Sequence, residues 1–116
     1  PHGQLVNVYR VADALLFASR FKGEQHPLVL IEGLASGCAV ITSRIAGICE
    51  TVNHGEHAIL MDDASDAHEA AEHLGRIVDR PADYAAMRDA GRALARARYD
   101  WRAIAGQVER IYFSLV

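Results

Sequence analysis

Two carboxylates, Glu24 and Glu32, stand eight positions apart in the stretch EQHPLVLIEGLASG. The first falls in a predicted loop and the second inside a predicted helix, so together they can hold two parts of one polar ligand. Pro27 suits the first turn of a helix, where its missing N–H costs nothing, and Gly37 suits the stop, which predicts a helix from Pro27 to Ser36. At about 100° per residue, Leu28, Leu30, Ile31, Leu34 and Ala35 cover most of its circumference, and Val29 closes much of the remainder. Glu32 is the exception. An ionised carboxylate on so apolar a helix is costly without a partner, so Glu32 calls for hydrogen-bond donors.

The start of this helix offers a second kind of chemistry. Free N–H groups near His26 to Leu30, together with the helix dipole, make a site for a phosphate, and Glu24 stands just before it. From Pro27 to Glu32 the helix rises about 7.5 Å. The carboxylates can therefore bracket a diphosphate, one taking sugar hydroxyls and the other ribose hydroxyls, which is the chemistry of a nucleotide-sugar. The alternative is a buried sheet-packing helix with Glu32 on a narrow solvent face beside Gly33 and Ser36. Spacing alone leaves both open.

Glu24, seven intervening residues, Glu32 and then Gly-Leu-Ala-Ser-Gly resemble the E-x7-E motif of retaining glycosyltransferases with two Rossmann-like domains (the GT-B fold), particularly family 4. VYRVADALLFAS (Val8 to Ser19) resembles the segment before that motif, and CAVITSRIAGICETVNHGEHAILM (Cys38 to Met61) the segment after it. Asp100-Trp101 has a counterpart near the family's C-terminal end, so the resemblance covers nearly the whole chain. It implies that Glu24 is catalytic, contacting the donor hexose near the reacting carbon, and that Glu32 accepts hydrogen bonds from ribose hydroxyls. Backbone groups around Gln25, His26, Pro27, Leu28 and Val29 would hold hexose and phosphate, and Ser19, Ala46 and Gly47 would line the pocket. It further implies a nucleoside-diphosphate sugar as donor, no cofactor and no required metal, and a glycan, lipid or small-molecule acceptor. The acceptor groups would lie in an N-terminal domain of the same polypeptide, so residues 1 to 116 alone are expected to transfer no sugar. Ala46 stands where a first glycine is common, Ala39 where proline is common, and His57-Ala58 where Asn-Gly is usual.

Composition bounds these options. With 116 residues, 51% hydrophobic and 23% charged, the chain has the profile of one soluble globular domain. A net charge of −3 gives no basic footprint for nucleic acid. No apolar run reaches membrane-spanning length. Pro1 stands where an initiator Met would, with helical periodicity close behind, which suggests a piece of a longer polypeptide. Cys38 and Cys49 fit a reducing compartment, so the expected location is the cytoplasm. An arginine stripe (Arg88, Arg92, Arg96) reads as a solvated face, with peripheral contact at the inner face of a membrane as the other option.

The elements that position these residues follow the pattern of an α/β fold: a Rossmann-like parallel sheet of three short strands with flanking helices. A helix over Gln4 to Val11 precedes a buried strand at Ala14 to Ala18, and the loop Ser19 to His26 then carries Arg20, Lys22 and Glu24 at that strand's C-terminal end, where open α/β sheets bind ligands. Arg20 and Lys22 are either phosphate contacts or solvated loop charges. Ala39 to Thr42 and Ala58 to Met61 read as further strands, the central helix being the first crossover. Asp62-Asp63 and His54/His57 read as loop and turn residues rather than metal ligands. Beyond them, Asp66 and Glu69 form a predicted capping box. Pro81 separates two helices, and Asp100 caps a third whose Trp101, Ile104, Ala105, Val108, Ile111 and Tyr112 make a packing stripe. Neither G-x-G-x-x-G nor a Walker loop occurs, which argues against other nucleotide enzymes on such a sheet. A non-catalytic nucleotide- or protein-binding module remains the rival.

Overall fold

The computed structural model describes residues 2–116; Pro1, the start that suggests a longer polypeptide, lies outside them. Three parallel strands, β1 (Ala14–Phe17), β2 (Ala39–Ser43) and β3 (Ile59–Met61), form one sheet in the order β1-β2-β3. The register sets Ala14 beside Ala39 and Phe17 beside Thr42, then Ile41 beside Ile59 and Ser43 beside Met61. Every residue of β2 is buried, because successive side chains enter two different cores. Val40 joins Leu30, Leu34, Ile48 and Leu60 on one face, while Ala39 and Ile41 join Met61, Ile77 and Met87 on the other. β1, expected to be buried, is an edge strand with Leu16 41% exposed, since it pairs only with β2 among the described residues.

The crossover helix α2 spans Leu28–Ser36, one residue shorter than the sequence predicts, because Pro27 is its extended N-cap (φ −63°, ψ 127°). Its C-terminus closes on Gly37, at φ 81°, where the Gly37 N–H donates to Leu34 O and the Cys38 N–H to Gly33 O. These bonds satisfy carbonyls that a helix end leaves orphaned. Helix α1 (His2–Val11) packs against α2, and α3 (Ala46–Thr51) follows β2.

The later helices bring three corrections. Helix α4 (Ala67–Asp79) begins at Asp66, whose carboxylate accepts from the His68 and Glu69 N–H groups, but no capping box closes. The Asp66 N–H already donates to Asp63 O, and the Glu69 carboxylate instead takes the Asp62 and Asp63 N–H groups, which hold its pKa below the usual carboxylate value. The helix expected from Pro81 is a 3₁₀ turn (Pro81–Tyr84) followed by α5 (Ala85–Tyr99), and its arginines are not one solvated stripe. Arg88 Nε donates to Gly37 O at 2.7 Å, and the Arg92 guanidinium occupies the space beside Gly37 Cα; of the three, Arg88 and Arg92 are half-buried and Arg96 is exposed. Helix α6 (Trp101–Ser114), capped by Asp100 as expected, leaves its apolar stripe uncovered, with Trp101 80%, Ile111 60% and Tyr112 69% exposed. No described helix is long and apolar enough to cross a membrane.

The α2 stop generates a prediction. Gly37→Ala puts a side chain in the left-handed region, at a cost of roughly 1–2 kcal/mol, and drives its Cβ into the Arg92 guanidinium. Urea denaturation should therefore show a loss of at least about 1 kcal/mol; an unchanged midpoint would show that Gly37 is dispensable to the helix stop.

Candidate functional site

The loop between β1 and α2 is fixed at its base by the end of β2. Thr42 Oγ1 donates to Phe17 O at 3.0 Å, and Ser43 Oγ donates to Ser19 O. A turn closed by the Glu24 N–H on Phe21 O brings the chain across the first turn of α3. There it touches Gly47 so closely that a Cβ would overlap the Glu24 carbonyl and the Gln25 Cα. Thr51, at the far end of α3, reaches the same segment: its hydroxyl lies 3.3 Å from Gln25 O and 2.7 Å from His26 Nδ1. The His26 ring also meets Tyr99, at 5.9 Å between centroids.

At the C-terminal ends of the strands this loop borders a cleft of about 370 Å³. Ser19, Ser43 and Ala46 line it, and Arg20, Lys22, Arg44, Asp62 and Asp63 supply its charges. Arg44 is committed to Asp62 at 3.4 Å and to Leu60 O. Asp63 accepts from the Ser65 hydroxyl and N–H, which, with the Arg20 charge, lower its pKa. His54 and His57 each accept a backbone N–H through Nδ1, from Leu60 and Asn53, and so order the turn before β3.

The structure thus divides the residues singled out from sequence. Ser19 and Ala46 line the cleft, and Gly47 supports the backbone of Glu24 and Gln25 from beneath. Glu24 is half-buried with no side-chain bond among the described residues, free to meet a ligand. The N–H donors at the helix start are fewer than expected: Pro27 has none, and the Leu30 N–H already donates to Pro27 O at 3.1 Å. Leu28 and Val29, 71% and 37% exposed, have N–H groups without a partner among the described residues. Glu32 lies a turn and more along α2, half-buried, against Tyr9 of α1. Burial, and then Glu32, raise the Tyr9 pKa. Tyr9 is thus the neighbour that Glu32 meets on α1. Its helical spacing marks it as core and conceals the hydroxyl, while Thr51 is visible in sequence only as a hydroxyl ending a short apolar helix.

A parallel sheet with crossover helices, and with a charged cleft at the strands' C-terminal ends, defines a Rossmann-like α/β domain. The chain belongs to the family described as "Glycosyl transferases group 1", which matches residues 1–94. It is 32% identical over 115 residues to a D-inositol 3-phosphate glycosyltransferase of Corynebacterium urealyticum, covering 99% of this chain and 26% of that protein. A second protein of that name, from Corynebacterium glutamicum, is 35% identical over 113 residues, covering 97% of this chain and 26% of its own length. Among solved structures, sucrose-phosphate synthase from Thermosynechococcus elongatus superposes with a TM-score of 0.85 at 32% identity, over 98% of this chain and 28% of that one. Anabaena HepE in complex with UDP-glucose shares the fold, with a TM-score of 0.81 at 21% identity, over 92% of this chain and 29% of that one. The chain therefore spans about a quarter of the length of the curated relatives it matches.

The contact beneath the loop is testable by Gly47→Ala, since overpacking a closed site costs roughly 1–3 kcal/mol. The backbone amide resonances of Glu24, Gln25 and His26 should move while those of α4 stay in place. Unmoved loop resonances would contradict the close approach of loop and helix.

Proposed function

We propose that the full-length protein is a retaining hexosyltransferase of the family 4 type that uses a nucleoside-diphosphate sugar, with this chain supplying part of the donor site. The observation that carries this is the placement of Glu24: a carboxylate on a loop clamped to α3, just ahead of the Leu28 and Val29 N–H groups, all three without a partner among the described residues. Family membership supports it, as do the transferase names of the relatives. In this reading the E-x7-E pair is divided between two tasks. Glu24 meets the hexose, and Glu32, beside Tyr9, accepts from the ribose hydroxyls. The diphosphate lies at the start of α2, where N–H groups and helix dipole favour negative charge.

The reaction breaks the bond between the anomeric carbon and the diphosphate oxygen, and the electron pair leaves with the diphosphate. The acceptor hydroxyl forms the new bond on the same face and gives its proton to an oxygen of the departing diphosphate. Donors aimed at the departing diphosphate stabilise charge that develops only in the transition state, while Glu24 favours positive charge at the anomeric carbon. The acceptor, a glycan, lipid or small molecule, would be bound by an N-terminal domain of the same polypeptide, which would complete the bipartite site.

Two substitutions in the full-length protein separate these tasks. Glu24→Ala should lower kcat strongly, with melting temperature and nucleoside-diphosphate affinity nearly unchanged; near-normal turnover would remove Glu24 from the mechanism. Glu32→Gln should weaken donor binding about tenfold, since a charge-assisted hydrogen bond contributes roughly 1.5–3 kcal/mol. A 2′-deoxyribose donor should then lose less. If the wild type binds ribose and deoxyribose donors equally, Glu32 is a packing residue.

A further inference from the structure

Thr51 is a threonine at 2% exposure with a hydroxyl among three groups: Gly47 O at 3.0 Å, Gln25 O at 3.3 Å and His26 Nδ1 at 2.7 Å. A hydroxyl has one hydrogen to give and lone pairs with which to accept. If Thr51 gave that hydrogen to His26, Gln25 O would lose this donor and Gly47 O would keep only its bond within the helix. All three contacts are met together only when His26 Nδ1–H donates to Thr51 Oγ1 and the Thr51 O–H is shared between the two carbonyls. The hydrogen-bond network thereby assigns the His26 tautomer. Tyr99 lies against the same imidazole at an interplanar angle of 48°, so the ring is held from α3 and from the end of α5 at once.

We infer that Thr51 is a positioning residue for the donor, acting through His26 and Gln25 to hold the segment between Glu24 and the start of α2. This rests on the proposed donor site. A loop of polar and charged residues from Ser19 to His26 has little apolar burial to order it, and every ordered residue costs conformational entropy. The Thr51 hydroxyl is the polar link that ties both the main chain and a side chain of this segment to the buried face of α3. Without it, Glu24 and the Leu28 and Val29 N–H groups would sample more than one arrangement.

The test uses the full-length protein with Thr51→Val, which keeps the shape and removes the hydroxyl, and Thr51→Ser, which restores it. Thr51→Val should raise KM for the nucleoside-diphosphate sugar by about fivefold to tenfold, with a smaller change in kcat, and Thr51→Ser should return it to within about twofold of wild type. In a His26→Phe background, Thr51→Val should add less to KM than it does alone, because the two residues act through one contact. Imidazole ¹⁵N shifts should show Nδ1 protonated in the wild type and a mixture of tautomers in Thr51→Val. A Thr51→Val enzyme with wild-type KM would overturn the inference, as would a loss that serine does not rescue. The ¹⁵N measurement needs no substrate. Absent turnover with a wild-type tautomer signature therefore counts against the functional reading, and a mixed wild-type tautomer counts against the Thr51 contact.

Discussion

The absence of a side chain at Gly47 lets the Glu24 and Gln25 backbone lie directly on the first turn of α3, and the rest of the site depends on that approach. Glycine is needed there for space. With the two backbones in contact, a short loop gains a rigid floor it cannot make from its own residues, which are mostly polar. Ser43 on Ser19 O and Thr42 on Phe17 O secure the loop's entry, and Thr51 secures its exit. The loop is thus held by hydrogen bonds to its own carbonyls, leaving the Glu24 side chain uncommitted.

The floor is rigid because β2 is buried on both faces. Its alternating side chains fasten α2 to one side and α4 to the other, with α5 reaching the first through Ala95 and the second through Met87, and α3 begins at Ala46, soon after its last residue, Ser43. The end of α2 is closed from outside by α5, where Arg88 takes the Gly37 carbonyl and Arg92 fills the space beside it. A cation at a helix C-terminus meets the negative end of the dipole as well as an orphaned carbonyl. Glu69 plays the corresponding part at the cleft, where its carboxylate gathers the N–H groups of Asp62 and Asp63. Each of these polar side chains stabilises a helix end or a strand exit that the apolar core cannot satisfy.

The strand-helix-strand core was legible because apolar runs bounded by Gly37 and polar loops are shaped by burial, which leaves a trace in local sequence. The placement of Glu24 in a loop and Glu32 in a helix was legible from Pro27, Gly37 and the apolar run between them. Long-range polar contacts were not legible. Arg88 and Gly37 are 51 positions apart, so helical periodicity placed Arg88 on a solvated face. Thr51 was hidden for the same reason, serving a segment about 25 positions away. Pro27 was placed one position too far into the helix, because a proline's fixed φ suits N-cap and first turn alike. On α6 the period of the apolar residues was right, but periodicity says which residues share a face and is silent on whether this chain covers it.

The central claim is that the clamped loop and the start of α2 hold one nucleotide-sugar between Glu24 and Glu32. A crystal structure of the full-length protein with a non-reacting nucleoside-diphosphate sugar tests it most directly. The Glu24 carboxylate should lie within hydrogen-bond distance of the hexose hydroxyls, about 2.5–3.0 Å, with the diphosphate on the Leu28 and Val29 N–H groups and the ribose on Glu32. A diphosphate bound away from the start of α2, with Glu24 turned to solvent, would contradict it.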